Sequence, residues 1–168
     1  MIKKKQGVKV RAARRSDLEQ MYQCECACFE DPWSFPMLYE EVCENRSAVY
    51  LVLLVNGRVV GYCGANIVLD ESHVMNMCVL PDYRGKGYAK LMMRALQDAS
   101  KERGADAMTL EVRTSNRAAL RLYKDCGFTI QGLRKNYYNG REDAYVMWTR
   151  RPAYVPESPA FRTEGSAV

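Results

Sequence analysis

Val79-Leu80-Pro81-Asp82-Tyr83-Arg84-Gly85-Lys86-Gly87-Tyr88-Ala89 is the stretch on which the reading of this chain turns. A mostly apolar run, Val74 to Leu80, leads into it. A helical pattern leaves it, with Tyr88, Leu91, Met92, Ala95, Leu96 and Ala99 on one stripe. The glycines therefore sit where a strand becomes the first turn of a helix. Such a turn carries backbone N–H groups without intrahelical partners, at the positive end of the helix dipole. It is a ready site for phosphate oxygens, and Gly85 and Gly87 allow a ligand close to the backbone. A plain glycine-containing strand–helix turn fits the same residues. The spacing matches neither G-x-x-x-x-G-K-[ST] nor G-x-G-x-x-G. It reads R-x-x-G-x-A after V-x-P-x-Y.

Outward from this turn, the chain has 168 residues, 48% of them hydrophobic, which suits one globular domain with a sizeable core. The expected division is a domain over 1–149 and a Pro-containing tail over 150–168. No apolar run reaches the length of a membrane span. Met1-Ile2-Lys3-Lys4-Lys5 lacks an apolar signal core, so a cytoplasmic protein is expected. The net charge of +5 is uneven: seven basic residues from Lys3 to Arg15 precede the first acid, Asp17. This is not the basic stripe with interleaved aromatics of a nucleic-acid protein, so neither a membrane nor a direct nucleic-acid partner is expected. Glu25, Glu30, Asp31, Glu40, Glu41 and Glu44 lie in a segment without Lys or Arg. They fit an acidic patch for a cationic amine and a solvated helix pair equally. Seven cysteines point to reduced, mostly packed thiols. Cys24, Cys26 and Cys28 fall in a helical segment, and His73, the one histidine, does not complete a zinc spacing. No metal is expected.

Strands are expected at Val8–Ala12, 49–55, 58–69, 74–80, 107–112, 128–133 and 144–148, with Asn56-Gly57 as a hairpin turn. Ser16-Asp17-Leu18-Glu19 reads as a capping box opening a helix to about Phe29. Further helices are expected at 35–45, from the glycine turn to Gly104, and from Ser115-Asn116 to about Cys126. The order β-α-α-β-β-β-α-β-α-β-β makes an α/β domain around a mixed sheet.

The glycine turn resembles the pyrophosphate-binding motif of the GCN5-related N-acetyltransferases, the GNAT superfamily. The element order is similar to the GNAT fold over about 145 residues, which implies a mixed, mostly antiparallel sheet of six or seven strands flanked by about four helices. Ala89 stands where that motif often ends in glycine, and Leu80 where a polar residue is frequent. The resemblance implies acetyl-coenzyme A as co-substrate, held at the pyrophosphate by Arg84, Gly85, Lys86, Gly87, Tyr88, Ala89 and Lys90. It also implies that Met77, Cys78 and Val79 pair with the pantetheine arm as an added strand would.

Acetyl transfer to an amine needs a proton acceptor for the ammonium and stabilisation of the departing thiolate. In Met108-Thr109-Leu110-Glu111-Val112-Arg113, period two places Glu111 opposite the apolar face. It suits a base, and spacing alone fits a surface glutamate paired to Arg113 better. Asn116, Leu120 and Tyr123 fall on one helical stripe. Tyr123 suits a proton donor and equally a core aromatic. The run Leu110 to Asn116, with Ala118, Ala119, Leu120, Leu122, Tyr123, Gly127 and Phe128, resembles the pattern of protein N-terminal acetyltransferases. Pro32-Trp33-Ser34, Arg134-Lys135-Asn136-Tyr137-Tyr138 and Gly140 to Met147 resemble the RimI-type ribosomal-protein alanine N-acetyltransferases. By this resemblance Glu111 is the proton acceptor, Tyr123 the proton donor and Asn116 a coenzyme contact. By the same resemblance Trp33, Tyr137 and Tyr138 lie at the substrate mouth; a Trp buried between two helices and an aromatic strand edge fit the same residues. The implied reaction is direct transfer to the N-terminal alanine of the eighteenth small-subunit ribosomal protein. A lysine or small-amine acetyltransferase and a non-catalytic coenzyme-A-binding module remain the alternatives.

Overall fold

A computed structural model describes residues 7–150. The elements are β1 (Val8–Ala12), α1 (Leu18–Cys28), α2 (Phe35–Tyr39, prolonged by a π-helical turn, Glu40–Glu44), β2 (Ala48–Val55), β3 (Arg58–Val68) and β4 (Glu71–Val79). They continue with α3 (Tyr88–Glu102), β5 (Ala107–Arg113), α4 (Arg117–Asp125), β6 (Thr129–Tyr138) and β7 (Glu142–Arg150). The element order is the expected one. The strands form one seven-stranded sheet in the order β1-β2-β3-β4-β5-β7-β6. Every neighbouring pair is antiparallel except β4–β5.

Both faces of the sheet are covered, which is why β2 reads as an unbroken apolar run. Val49, Leu51 and Leu53 enter a core shared with Met92, Met93 and Leu96 of α3. Tyr50 and Val52 point the other way, to Leu18 and Met21 of α1 and Leu38 of α2. Each fully buried side chain such as Leu53 or Leu96 contributes roughly 1.5–3 kcal/mol through apolar burial. Gly64 is fixed by this packing, since a Cβ there would lie 2.0 Å from the Tyr50 ring.

The central feature is a split. The parallel β4–β5 pairing covers only Glu71↔Ala107, Ser72↔Met108 and His73↔Thr109. The β3–β4 register slips between Gly64 and Ala65, leaving Met75 as an extra residue just past the last of those pairs. Such a bulge bends its strand. Beyond it β4 follows β3 to Val79 while β5 follows β7 to Arg113.

Three expectations are corrected. Ser16 does not cap α1. Arg14 caps a 3-10 turn, Arg15–Asp17, and the Asp17 carboxylate accepts the Arg14 N–H at 2.8 Å and the Arg11 guanidinium at 2.6 and 2.9 Å. A charge-assisted fork outcompetes a serine hydroxyl. The helix expected at 35–45 changes from α to π after Tyr39. The last two strands are longer than expected. Asn139 and Gly140 both adopt positive φ, 52° and 65°, as a tight hairpin turn requires, and pairing runs out to Tyr138↔Glu142. Arg150 closes β7, whereas the rest of the expected tail and the Lys3–Lys5 arm lie outside the described residues. No helix among those described is long and apolar enough to cross a membrane.

Burial alone would lift the Asp17 carboxyl. The Arg11 guanidinium and the Arg14 N–H more than offset that and hold it below the usual carboxylate range. A carboxyl depressed in the folded state adds stability that is full above its unfolded value and is lost as pH falls through the folded one. Asp17→Ala should cost on the order of 2–3 kcal/mol at pH 7. The gap from wild type should be smaller at about pH 3 than at pH 7, because pH 3 lies below the ordinary aspartate value of about 3.9. Urea unfolding of both proteins at the two pH values checks this.

Candidate active site

Beside the free lip of β4 lies a cleft of about 520 Å³. Met77, Cys78 and Val79 form one wall, the turn into α3 its floor, and Ala118, Ala119, Leu122 and Tyr123 of α4 the opposite wall. Arg84, Gly85, Gly87, Tyr88, Ala89, Lys90 and Asn116 line it too, so the sequence-predicted coenzyme residues converge, with one exception. Lys86 faces an adjacent depression with Arg58 and Asp82. Its Nζ donates to the Asp82 carbonyl at 3.4 Å and sits over the Tyr83 ring. The end of α1 closes the cleft through Cys28 and Phe29, which the sequence did not single out.

The floor is built for negative charge. Gly85 and Gly87 have φ of 72° and 80°, where a side chain is strained. A Cβ at either would meet nothing within 4 Å, so backbone conformation, not packing, demands glycine. Gly87 caps α3 with no side-chain hydrogen bond, and the first turn carries no acid. The helix dipole there is left for a ligand to complement. The Arg84 side chain folds back, its Nε donating to the Val79 carbonyl at 2.8 Å. Asn116 caps α4, its side chain accepting the Ala119 N–H at 3.1 Å. Leu120 and Tyr123, on the same helical stripe as Asn116, both pack against the core.

Across the split, β5 buries Met108, Leu110 and Val112 and turns Glu111 to the other face. The expected partner of Glu111 is corrected. Arg113 pairs with Glu142 at 2.9 Å and stacks over Tyr138 at 4.2 Å. Glu111 instead lies 3.0 Å from His73 Nε2 and 3.4 Å from Arg134 Nε. Its side chain is only 9% exposed while that of His73 is 38% exposed, so the imidazole bridges a buried carboxylate to water. His73 and Arg134 were missed as partners because strand pairing, not local spacing, brings them there. Tyr123 packs edge-on against Phe128. Burial, with the neighbouring Tyr138, pushes its phenol up to about 12.

Trp33, Tyr137 and Tyr138 stand outside the cleft walls but in one neighbourhood. Asn139 Nδ2 reaches Asp31 Oδ2 at 3.5 Å, joining the α1–α2 loop to the β6–β7 turn. Tyr137 and Tyr138 meet edge-to-face at 5.1 Å, and Arg134 lies over Tyr137. Trp33 packs against the α1-side core, and its backbone N–H donates to Glu25 at 2.9 Å. That removes Glu25 from the acidic surface read over 25–44, whereas Glu30, Asp31, Glu40 and Glu44 are exposed. Glu25 is 1% exposed and also accepts the Tyr62 hydroxyl.

The model of the Acetyltransferase (GNAT) family matches residues 18–128. A Bacillus subtilis relative is 41% identical over 141 residues, covering 83% of this chain and 93% of the relative. The [ribosomal protein bS18]-alanine N-acetyltransferase of Haemophilus influenzae is 38% identical, covering 78% and 90%. The crystal structure of the ribosomal-protein-S18-alanine N-acetyltransferase from Escherichia coli superposes with a TM-score of 0.78 at 30% identity, over 92% of this chain and 99% of the other. This chain belongs to the GNAT family and takes acetyl-coenzyme A as its acetyl donor.

Gly87→Ala should raise the KM for acetyl-coenzyme A by about tenfold or more, the equivalent of roughly 1–2 kcal/mol of left-handed strain and lost approach. Steady-state kinetics with the donor varied checks it. An unchanged KM would show that the N-terminus of α3 does not hold the donor.

Proposed function

We propose that this chain acetylates the free α-amine of a protein N-terminus, foremost the N-terminal alanine of ribosomal protein bS18, by direct transfer in a ternary complex. The observation that carries the chemistry is the Glu111 carboxylate, held between His73 and Arg134 across the split from the open edge of β4. The names of the Haemophilus and Escherichia relatives support the acceptor. The work falls to residues 1–149, with 150–168 as an appendage, and takes place in the cytoplasm, where ribosomal proteins are made.

Bound acetyl-coenzyme A supplies an activated acyl thioester. Amides around Gly85, Gly87 and Ala89 hold its pyrophosphate, with Arg84, Lys86, Tyr88 and Lys90 around them. The edge of β4 at Met77, Cys78 and Val79 pairs with the pantetheine amides, and Asn116 adds a contact from α4. An α-amine has a pKa near 8 and is mostly protonated at pH 7. Glu111 takes that proton, directly or through a water, and His73 passes it to solvent. Arg134 fixes the second carboxylate oxygen. Tyr123 is the proton donor toward the departing thiolate. With its phenol near 12, well above a thiol's usual value of about 8.5, it acts chiefly by donating a hydrogen bond. Trp33, Tyr137 and Tyr138 wall the peptide entrance. No side-chain nucleophile is required.

Glu111→Gln should lower kcat by roughly 10²–10⁴ with little change in the donor's KM. Tyr123→Phe should lower it by on the order of tenfold or more. Mass spectrometry of a bS18 N-terminal peptide, beside an N-terminally blocked lysine peptide, reads the acceptor. Acetylation of the lysine peptide alone would sink the proposed acceptor, and undiminished rates in both variants would sink the catalytic roles.

Two further outcomes follow. His73→Gln cannot carry the proton onward and should slow turnover by on the order of tenfold while leaving donor binding intact; calorimetry separates the two. Because the Tyr123 phenol sits near 12, it stays protonated across the working range. Any fall in rate below about pH 10 should therefore persist in Tyr123→Phe.

A further inference from the structure

The acetyl-transfer reading uses no thiol side chain, yet two of the seven cysteines, Cys28 and Cys78, line the coenzyme cleft. Cys28 ends α1 and is half-buried, and Cys78, near the end of β4, is buried. Cys28 Sγ lies 3.5 Å from the Val79 carbonyl oxygen. Arg84 Nε donates to that same oxygen at 2.8 Å. One carbonyl thus gathers a thiol and a guanidinium at the cleft wall, and Cys28 packs against the same buried cluster that holds Cys78.

We propose that Cys28 and Cys78 are a peroxide-sensitive modification site, whose disulfide ties the end of α1 to β4 and closes the cleft to acetyl-coenzyme A. The closing step rests on the reading of this cleft as the donor site, whereas the disulfide does not.

The two thiols are chemically unequal, as the reaction needs. Contact with the Cys78 thiol, with the Arg84 guanidinium, outweighs burial and the nearby Glu25 and pushes the Cys28 thiol down to about 6. The same contact and burial push Cys78 up. Cys28 is thus the thiol more readily deprotonated to the nucleophilic form. Burial pushes the thiols of Cys24 and Cys63 up and leaves them poor nucleophiles. The Cys28 sulfur attacks one oxygen of hydrogen peroxide; an S–O bond forms, the O–O bond breaks, and hydroxide leaves to take a proton. The Cys78 sulfur then gives up its proton and attacks the Cys28 sulfenic acid. The S–S bond forms, the S–O bond breaks, and water leaves. Two thiols lose two electrons and the peroxide becomes two waters. A bonded pair stands about 2.05 Å apart, closer than two unbonded sulfurs can lie, so the last turn of α1 and Phe29 are drawn onto the lip formed by Met77 and Val79.

The test uses the full chain, reduced and then treated with a few equivalents of hydrogen peroxide. Peptide mapping should find Cys28 joined to Cys78. Calorimetry should show affinity for acetyl-coenzyme A reduced by about tenfold or more and restored by dithiothreitol. Saturating acetyl-coenzyme A during treatment should slow the bridging. Cys28→Ser should form no bridge and, against its own untreated control, keep its donor affinity under peroxide. A map with both cysteines free, or with oxidation confined to Cys26 and Cys43, overturns the proposal. So does a bridged protein with undiminished affinity, or a Cys28→Ser protein that still loses it. Reduced protein that binds no acetyl-coenzyme A defeats the donor-site reading instead, and the peptide map then judges the disulfide alone.

Discussion

Three residue pairs hold β4 to β5, and then the strands part. Most of what this molecule can do depends on that parting. A parallel strand in the middle of a sheet normally spends both its edges on its neighbours. Here the Met75 bulge ends the partnership early, and β4 keeps an edge of amides and carbonyls inside the protein rather than at its rim. An edge exposed at a rim invites aggregation. The same edge inside a cleft accepts only an extended ligand narrow enough to enter. The ends of the two diverging strands also carry the charged chemistry, with Glu111 on one and the turn into α3 following the other.

The two faces of the sheet divide the labour. On one, α3 packs Met92, Met93 and Leu96 onto the strands, which fixes where its N-terminus points and therefore where an anion can bind. On the other, α1 packs through Leu18 and Met21 and carries Glu25 inward to hold the Trp33 backbone N–H and the Tyr62 hydroxyl. Asn76 extends that network, donating to the Tyr62 oxygen at 3.2 Å, and its Oδ1 has no partner among the described residues. A buried carboxylate with no cation beside it is costly. Its effect here is to fasten the loop that carries Trp33.

What the sequence made legible is what local chemistry determines. The glycine turn was readable because positive φ, an uncapped helix start and an apolar strand all lie within a dozen residues. The alternation of Met108, Leu110 and Val112 placed Glu111 on the correct face for the same reason. What stayed hidden depends on register between distant segments. Period two says that Glu111 faces away from the apolar core but not that His73 and Arg134 stand there with it, nor that Arg113 belongs to Glu142. Charge counting read 25–44 as a surface, and a single inward turn of helix took Glu25 out of it. The cap of α1 was misassigned to Ser16 because the competing acceptor, Asp17, draws its strength from Arg11 across a bend of the chain. Trp33, Tyr137 and Tyr138 were grouped by resemblance, whereas the contact that brings their loops together, between Asn139 and Asp31, has no sequence signature.

That contact is a single long polar bond, 3.5 Å, between two exposed side chains. It is the sole hydrogen bond among the described residues to clasp the α1–α2 loop to the β6–β7 turn. That loop begins at Phe29, which also lines the cleft beside β4. A change in this one surface clasp therefore reaches the cleft wall through a single short run of chain.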